Sequence, residues 1–211
     1  MPNVEPVQLV GEHRYTSGVQ AQQRAGVYGE QIVNDIGFGR YFEAVRAGRL
    51  FIAGNTAVQA LSVGSATATG IVLSNPIGST KALVVIQASF APSIDETADT
   101  VVGLFVNDNP AAAAVTHTTP VTPRSGLLGS GLSAVGKVDS AATLPATPTL
   151  IRAILGGGWA TAAGFSQSPA GVDPTDGSIV LLPNAALSIQ ALTTAVSGIA
   201  SMTWVEVDWP L

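Results

Sequence analysis

Cysteine is absent from the 211-residue chain, and charged residues are scarce. Without cysteine the chain can form no disulfide framework, no thiolate zinc site and no cysteine nucleophile. Only 11% of its residues are charged, against about a quarter in a typical globular protein, and only 6% are aromatic. Subunits that hide much of their surface in an assembly need fewer charges, so this composition favours an oligomer.

Long apolar runs and positive charge are also lacking. No uninterrupted apolar stretch reaches the roughly 18 residues of a transmembrane helix, so we expect no membrane partner. Residues 1–10 do not combine a basic with an apolar region, from which we expect no secretory signal and synthesis in the cytoplasm. Nine basic residues oppose 14 acidic ones, for a net charge of −5. Because phosphate binding needs a positive surface, this balance argues against nucleic acid as a partner.

Catalytic residue types are few. Only His13 and His117 could serve as imidazole bases, and neither lies beside a G-x-S-x-G sequence, so we interpret both as solvated loop residues. The segment GLSAVGKV, residues 131–138, matches the G-x-x-x-x-G-K part of a phosphate-binding loop. However, Val138 stands where that loop needs a hydroxyl, and neither a strand before it nor a helix after it is indicated. We therefore predict that the chain is not an enzyme.

Three short acidic segments raise the question of calcium: residues 95–99, 107–109 and 173–177. Calcium takes about six to eight oxygen ligands, and none of the segments has the full spacing of a calcium-binding loop. Asp, Asn, Gly and Pro are also the residues that turns prefer, so we interpret all three as turns. We predict no metal site and no cofactor, and an ion held by one pair of these acids is the alternative.

What the sequence contains divides it near residue 48. In residues 1–48, Tyr28, Ile32 and Ile36 have helical spacing, which predicts an N-terminal arm with one or two short helices. Residues 49–211 show β-like runs between turn clusters, which predicts an antiparallel β-sandwich, most plausibly a jelly roll. The predicted strands are 50–53, 57–63, 70–73, 81–90, 100–106, 150–155, 178–182, 187–193 and 201–208.

Two parts of the sandwich region differ from the rest. Residues 107–148 have little periodicity and several prolines, so we predict a long Gly/Pro/Ala-rich loop there. In VEVDW, residues 205–209, the three apolar residues would face one side and the two acidic residues the other. This alternation predicts a final strand that buries a tryptophan.

An arginine-aromatic patch lies where the arm meets the sandwich. It consists of Arg40, Tyr41, Phe42, Arg46 and Arg49. Arg46 and Arg49 could pair with nearby acids or complement the C-terminal end of a helix that ends at Gly48. Mixed aromatic and arginine surfaces are also enriched at protein interfaces, so an interface is the second interpretation.

Three stretches follow one another along the chain: YGEQIVNDIGFGRYFEAVRAGRLFIAGNTA, LSNPIGSTKALVVIQA and LLPNAALSIQALTTAVSGIASMTWVEVDWP. In style and order they resemble virion structural proteins of tailed bacteriophages, in particular jelly-roll head decoration (cement) proteins. The resemblance covers residues 28–90 and 178–209 and includes no catalytic motif. Residues 107–175 carry none of it.

The resemblance implies a non-enzymatic protein that binds the outside of an icosahedral capsid and clamps the major capsid protein. It also implies a homotrimer, located on the virion exterior after synthesis in the host cytoplasm. The patch residues would then contact the capsid or an adjoining subunit. They are Arg40, Tyr41, Phe42, Arg46 and Arg49.

Two other classes of function are alternatives. A phage receptor-binding or glycan-binding module, part of a fibre or spike, would use exposed aromatics such as Trp159 or Phe165 to stack on sugars. An enzyme such as a depolymerase or NTPase would depend on Lys137 in the glycine-rich segment.

Overall fold

The computed structural model describes residues 41–93, 100–108, 113–157 and 170–209. Residues 1–40 lie outside these ranges. The arm and its first helix therefore stay predictions. Within the described ranges, no helix is both long and apolar enough to cross a membrane.

The described residues form one short helix and thirteen strands. The helix is α1 (Phe42–Arg46), and the strands are β1 (Leu50–Gly54), β2 (Gln59–Ala60), β3 (Thr67–Ser74), β4 (Lys81–Pro92), β5 (Thr100–Asp108), β6 (Thr116–Val121), β7 (Arg124–Ser125), β8 (Lys137–Thr143), β9 (Thr149–Gly157), β10 (Gly171–Asp173), β11 (Ile179–Leu181), β12 (Ala185–Ala191) and β13 (Ser197–Asp208).

The strands make two antiparallel sheets. The first has the order β10-β4-β13-β1-β7, with β11 also paired to β4 and β2 to β13; the second has the order β6-β8-β3-β12-β5-β9. The pairs are nested along the chain: β1 with β13, β3 with β12, β4 with β10 and β11, and β5 with β9. A long hairpin rolled up in this way is a jelly roll, so the predicted fold is confirmed.

The main core lies between the two sheets and is organised around Trp204 of β13. Successive side chains of a strand point to opposite faces, so Ala200, Met202 and Trp204 all enter the core. The Trp204 ring stacks on Phe51 of β1, with ring centroids 6.1 Å apart. Trp204 is fully buried, whereas Trp209 is 38% exposed. The final strand therefore does bury a tryptophan, but it is Trp204 and not a residue of the VEVDW alternation.

The segment 107–148 is not the loop that we predicted. It contains β6, β7 and β8; β6 and β8 extend the second sheet beyond β3, and β7 pairs with β1 in the first sheet. Pro120 fits in β6 because β6 is an edge strand, where a missing N–H removes no bond from the sheet interior. The chain between β5 and β9 thus widens both sheets of the jelly roll.

The two tryptophans give a test of this core. Trp204→Ala should lower the free energy of unfolding by about 3–5 kcal/mol, because it leaves a large cavity between the sheets. Trp209→Ala removes a partly exposed ring and should lower it by less than about 1 kcal/mol. Denaturant unfolding of the two variants measures both values, and equal losses would contradict this assignment of the core.

Candidate interface at one end of the sandwich

The short helix α1 closes with a defined cap. Gly48, with φ of +69°, occupies the left-handed position directly after the helix. The Gly48 N–H donates to the Val45 carbonyl and the Arg49 N–H to the Ala44 carbonyl, each at 2.9 Å. This pair of bonds is the Schellman motif, which satisfies carbonyls at the helix end. The predicted helix end at Gly48 is confirmed.

The helix lies on the outer face of the first sheet. Its apolar residues cover three buried side chains, one each on β1, β4 and β13: Leu50, Ile86 and Val205. The covering residues include Tyr41, whose hydroxyl donates to a carboxylate oxygen of Asp176. The position of Tyr41 is therefore set by contacts within the subunit.

Local partners also account for the two described arginines of the patch. Arg46 pairs with Glu43 at 3.7 Å, with both side chains largely exposed. Arg49 lies close enough to Asp208 to help lower the pKa of that carboxyl. Phe42 is 36% exposed, and Arg40 lies outside the described residues. The geometry thus supports the pairing of these arginines with nearby acids, and the interface interpretation of the patch stays a prediction.

A second surface element lies next to α1: the loop between β7 and β8, residues 126–136. The Gly126 N–H donates to the Leu50 carbonyl at 2.8 Å, which joins the start of the loop to β1. A side chain on Gly126 would press against Leu50 and Val45, and one on Gly48 would collide with Leu132. The loop and the helix therefore form one continuous surface, which we call the end surface.

A buried carboxylate holds the far end of this loop. Glu206 is 5% exposed, and its Oε1 accepts hydrogen bonds from the N–H groups of Val135 at 2.8 Å and Gly136 at 2.9 Å. The indole Nε1–H of Trp204 donates to the same oxygen at 3.3 Å. As predicted, the side chains of Glu206 and Val205 lie on opposite faces of β13. Glu206, however, points into the protein and accepts its hydrogen bonds from the loop backbone. The Gly136 N–H therefore donates to a carboxylate and is not available to a phosphate. Because Lys137 begins strand β8 rather than a helix, residues 131–138 do not form a phosphate-binding loop.

An open cavity of about 1050 Å³ lies between the loop and the edge strands β6 and β7. Arg124, Lys137 and His117 line it, and none of the described lining residues is acidic. Neither Arg124 nor Lys137 forms an ion pair with a described residue. Sequence reasoning considered residues 131–138 only as a phosphate-binding loop, and it did not predict that they line a cavity together with Arg124 and His117.

Three leucines of the loop line the same cavity without being buried. Leu127, Leu128 and Leu132 are 41%, 82% and 47% exposed. Leu128 is the most exposed large apolar side chain among the described residues. Contiguous exposed apolar side chains beside polar ones are typical of a binding surface.

His117 is not the solvated loop residue that we predicted. It lies on β6, and its Nδ1 is 2.6 Å from Oδ2 of Asp139 on β8. Asp139 is fully buried, and its Oδ1 has no hydrogen-bond partner among the described residues. A catalytic triad also needs a hydroxyl at the second imidazole nitrogen, and no described hydroxyl forms a hydrogen bond there. The pair therefore links the two strands.

One predicted turn, at residues 173–177, is described in full. Asp173 is buried, and its Oδ2 is 2.8 Å from Nε of Arg152, although the pair is not aligned as a hydrogen bond. Asp176 and Gly177 have φ of +49° and +82°, as the turn requires.

In the described part of the chain, no three acidic or imidazole groups lie close enough together to hold a metal ion. Other predicted sites lie outside the described residues: His13, 95–99, Asn109, Trp159 and Phe165.

The anchor of the loop can be tested with two glutamates. Glu206→Ala leaves three donors without their acceptor, two of them buried, and should lower the free energy of unfolding by about 2–4 kcal/mol. Glu43→Ala removes only an exposed ion pair and should cost about 0.5 kcal/mol or less. Thermal and denaturant unfolding measure both changes. A loss for Glu206→Ala as small as that for Glu43→Ala would contradict the anchoring role.

A second test concerns the charges beside β13. The hydrogen bond from Lys81 and its positive charge lower the pKa of Asp208, partial desolvation opposes them, and Arg49 adds a smaller lowering. Lys81→Met should therefore raise the pKa of Asp208, and Arg49→Met should raise it less. Because the folded-state pKa is the lower one, the pair stabilises above the unfolded-state pKa and loses its effect as pH falls through the folded-state value. Titration of the Asp208 carboxyl by NMR measures the shift, and an unchanged pKa in Lys81→Met would refute it.

Comparison with known proteins adds no family to this geometry. No protein-family model matches the chain, and neither a curated protein nor a solved structure is significantly similar to it.

Proposed function

We propose that this protein is a non-enzymatic structural protein of a tailed-bacteriophage virion. It binds the outer surface of the capsid as a decoration or cement protein and stabilises the shell. The observation that carries the proposal is the cavity at the end surface. Its lining includes Leu128, which is 82% exposed, and Arg124 and Lys137, which have no ion-pair partner among the described residues. An apolar side chain so exposed is stabilised when a partner covers it.

Two further observations support this proposal. The jelly roll is a fold that many capsid proteins use, although a fold by itself assigns no function. The resemblance of residues 28–90 and 178–209 to decoration proteins supplies the partner class, the major capsid protein. The scarcity of charge, at 11% of residues, suits a chain whose copies pack together, and we propose a homotrimer on the capsid exterior.

A receptor-binding or glycan-binding module is the second candidate. Sugar stacking uses the exposed rings of Trp, Tyr or Phe, and none of the described residues that line the cavity is one of these. The residues on which that function was predicted, Trp159 and Phe165, lie outside the described ranges. Saturable binding to cell-surface glycans together with no binding to capsids would make it the better candidate.

Capsid attachment is tested by co-sedimentation with heads that were assembled without this protein. The wild type should saturate a fixed number of sites per head. Arg46→Ala combined with Arg49→Ala should reduce occupancy several-fold at subsaturating concentration, because two surface charges are lost from the interface. The matched double change to Lys keeps both charges and should retain most of the binding. Circular dichroism shows whether the sandwich is folded, and unchanged occupancy of the alanine variant would remove the patch from the interface.

The oligomeric state is tested by light scattering during gel filtration across a hundredfold range of concentration. A mass of three chains that persists on dilution is the expected result for a preformed trimer, because an obligate interface buries enough surface to survive dilution. A stable monomer would contradict a preformed trimer and restrict assembly to the capsid surface.

A further inference from the structure

We infer that the cavity between the loop 126–136 and the edge strands β6 and β7 binds an acidic segment of another protein, and that this segment also carries apolar side chains. The inference rests on the proposed function, because it names the chemistry of the partner that the end surface would contact. Its basis is the charge, the apolar surface and the strand edges that meet at the cavity.

The charge of the cavity follows from how the described cations are distributed. Arg46, Lys81 and Arg152 are in ion pairs, and Arg49 lies near Asp208. Only Arg124 and Lys137 are left, and both line the cavity with exposed side chains. Every other described Arg or Lys side chain pairs with a described carboxylate or lies near one.

The carboxylates closest to the cavity do not cancel this charge. Glu206 contacts the lining residue Gly136 but is buried, and its Oε1 is occupied by N–H donors. Asp139 contacts the lining residue His117 and is also fully buried. The cavity therefore presents positive charge to solvent on a chain whose net charge is −5. A negatively charged partner is attracted to this site and repelled by most of the remaining surface.

The apolar part of the site is built into the loop. The Ser130 N–H donates to the Leu127 carbonyl at 3.2 Å, which closes a turn around Leu128. Gly129 and Gly131 have positive φ, of +82° and +70°, and a Cβ at either position would meet nothing within 4 Å. The turn at residues 127–130 thus projects away from the body of the protein, and its backbone rather than burial sets the position of Leu128. Apolar side chains held in this way are covered only when a partner docks.

The edges of both sheets border the same site. β6 is the edge strand of the second sheet and β7 that of the first, so each has backbone groups free of ladder pairing on one side. An extended polypeptide can form hydrogen bonds to such edges, while pockets beside them select its side chains. An open cavity of about 1050 Å³ with this border has room for a peptide segment.

A second copy of the chain is a poorer fit through the same surface. A two-fold contact between two end surfaces would place two copies of Arg124 and two of Lys137 together, and like charges at an interface cost free energy. Nucleic acid offers the right sign of charge, but it has no apolar side chains to cover the leucines. An acidic and apolar polypeptide satisfies both features.

The probe for this site is a short fluorescent peptide in which aspartate and leucine alternate. Two matched peptides replace either every aspartate by lysine or every leucine by serine. Fluorescence anisotropy should show saturable binding of the first peptide to the wild-type protein, at least tenfold tighter than binding of either control. The affinity should fall as salt is raised, because exposed charges are screened.

Variants locate the binding. Arg124→Gln combined with Lys137→Gln should weaken binding of the aspartate-leucine peptide at least tenfold, and Leu128→Ser should weaken it several-fold. Lys81→Gln is the matched control, since it removes a cation that lies outside the end surface and pairs with Asp208, and it should change the affinity less than twofold. The side chains of Arg124, Lys137 and Leu128 are exposed, so unchanged thermal unfolding is expected for those variants.

Three results would overturn the inference. The first two are equal affinity for the three peptides and full affinity in the Arg124→Gln, Lys137→Gln variant. The third is an oligomer that the wild type forms and this double variant does not, because the occupant of the cavity would then be a second copy of the chain. The outcome for the proposed function is separate. If heads bind the wild type and this variant equally well, the decoration role stands and the cavity is not the site of capsid attachment. If the peptide binds the cavity but the protein does not attach to heads, the cavity binds acidic segments and the decoration role is wrong.

Discussion

The position of β13 between β4 and β1 is the constraint on which the rest of the structure depends. It pairs with β4 over eleven positions and with β1 over five, so both sides of its backbone are satisfied within the first sheet. One face of the strand supplies Trp204 to the core, and the other supplies Val205 to the surface that α1 covers. The same strand carries Glu206, which holds the loop of the end surface. Core, helix and candidate interface therefore share one strand.

Sequence patterns predicted the strands that carry several apolar residues. Residues 81–90 correspond to β4 (Lys81–Pro92), and residues 201–208 to most of β13. The missed strands β6 and β8 lack this apolar pattern for opposite reasons. Every residue of β6 is at least partly exposed, so nothing apolar repeats along it. β8 buries polar residues, among them Asp139 and Ser140, because neighbouring strands and loops cover them.

The candidate site was predictable only in part. The patch could be found because its residues are adjacent in sequence, and a local rule also placed the helix end at Gly48. The cavity joins Arg124 of β7 and Lys137 of β8, thirteen positions apart, to His117 of β6. The loop between β7 and β8 meets the helix through close contacts at Gly48 and Gly126, which depend on tertiary packing. No periodicity in a single sequence encodes such a contact.

The nested pairing has a consequence for the order of events during synthesis. β1 cannot enter its sheet until β13 has left the ribosome, because those two strands are partners. The loop of the end surface likewise lacks its anchor until Glu206 has been made. A chain that stops before β13 would therefore contain every residue of the end surface but lack the carboxylate that holds its loop. The end surface thus acquires its final shape only after the last strand has been made.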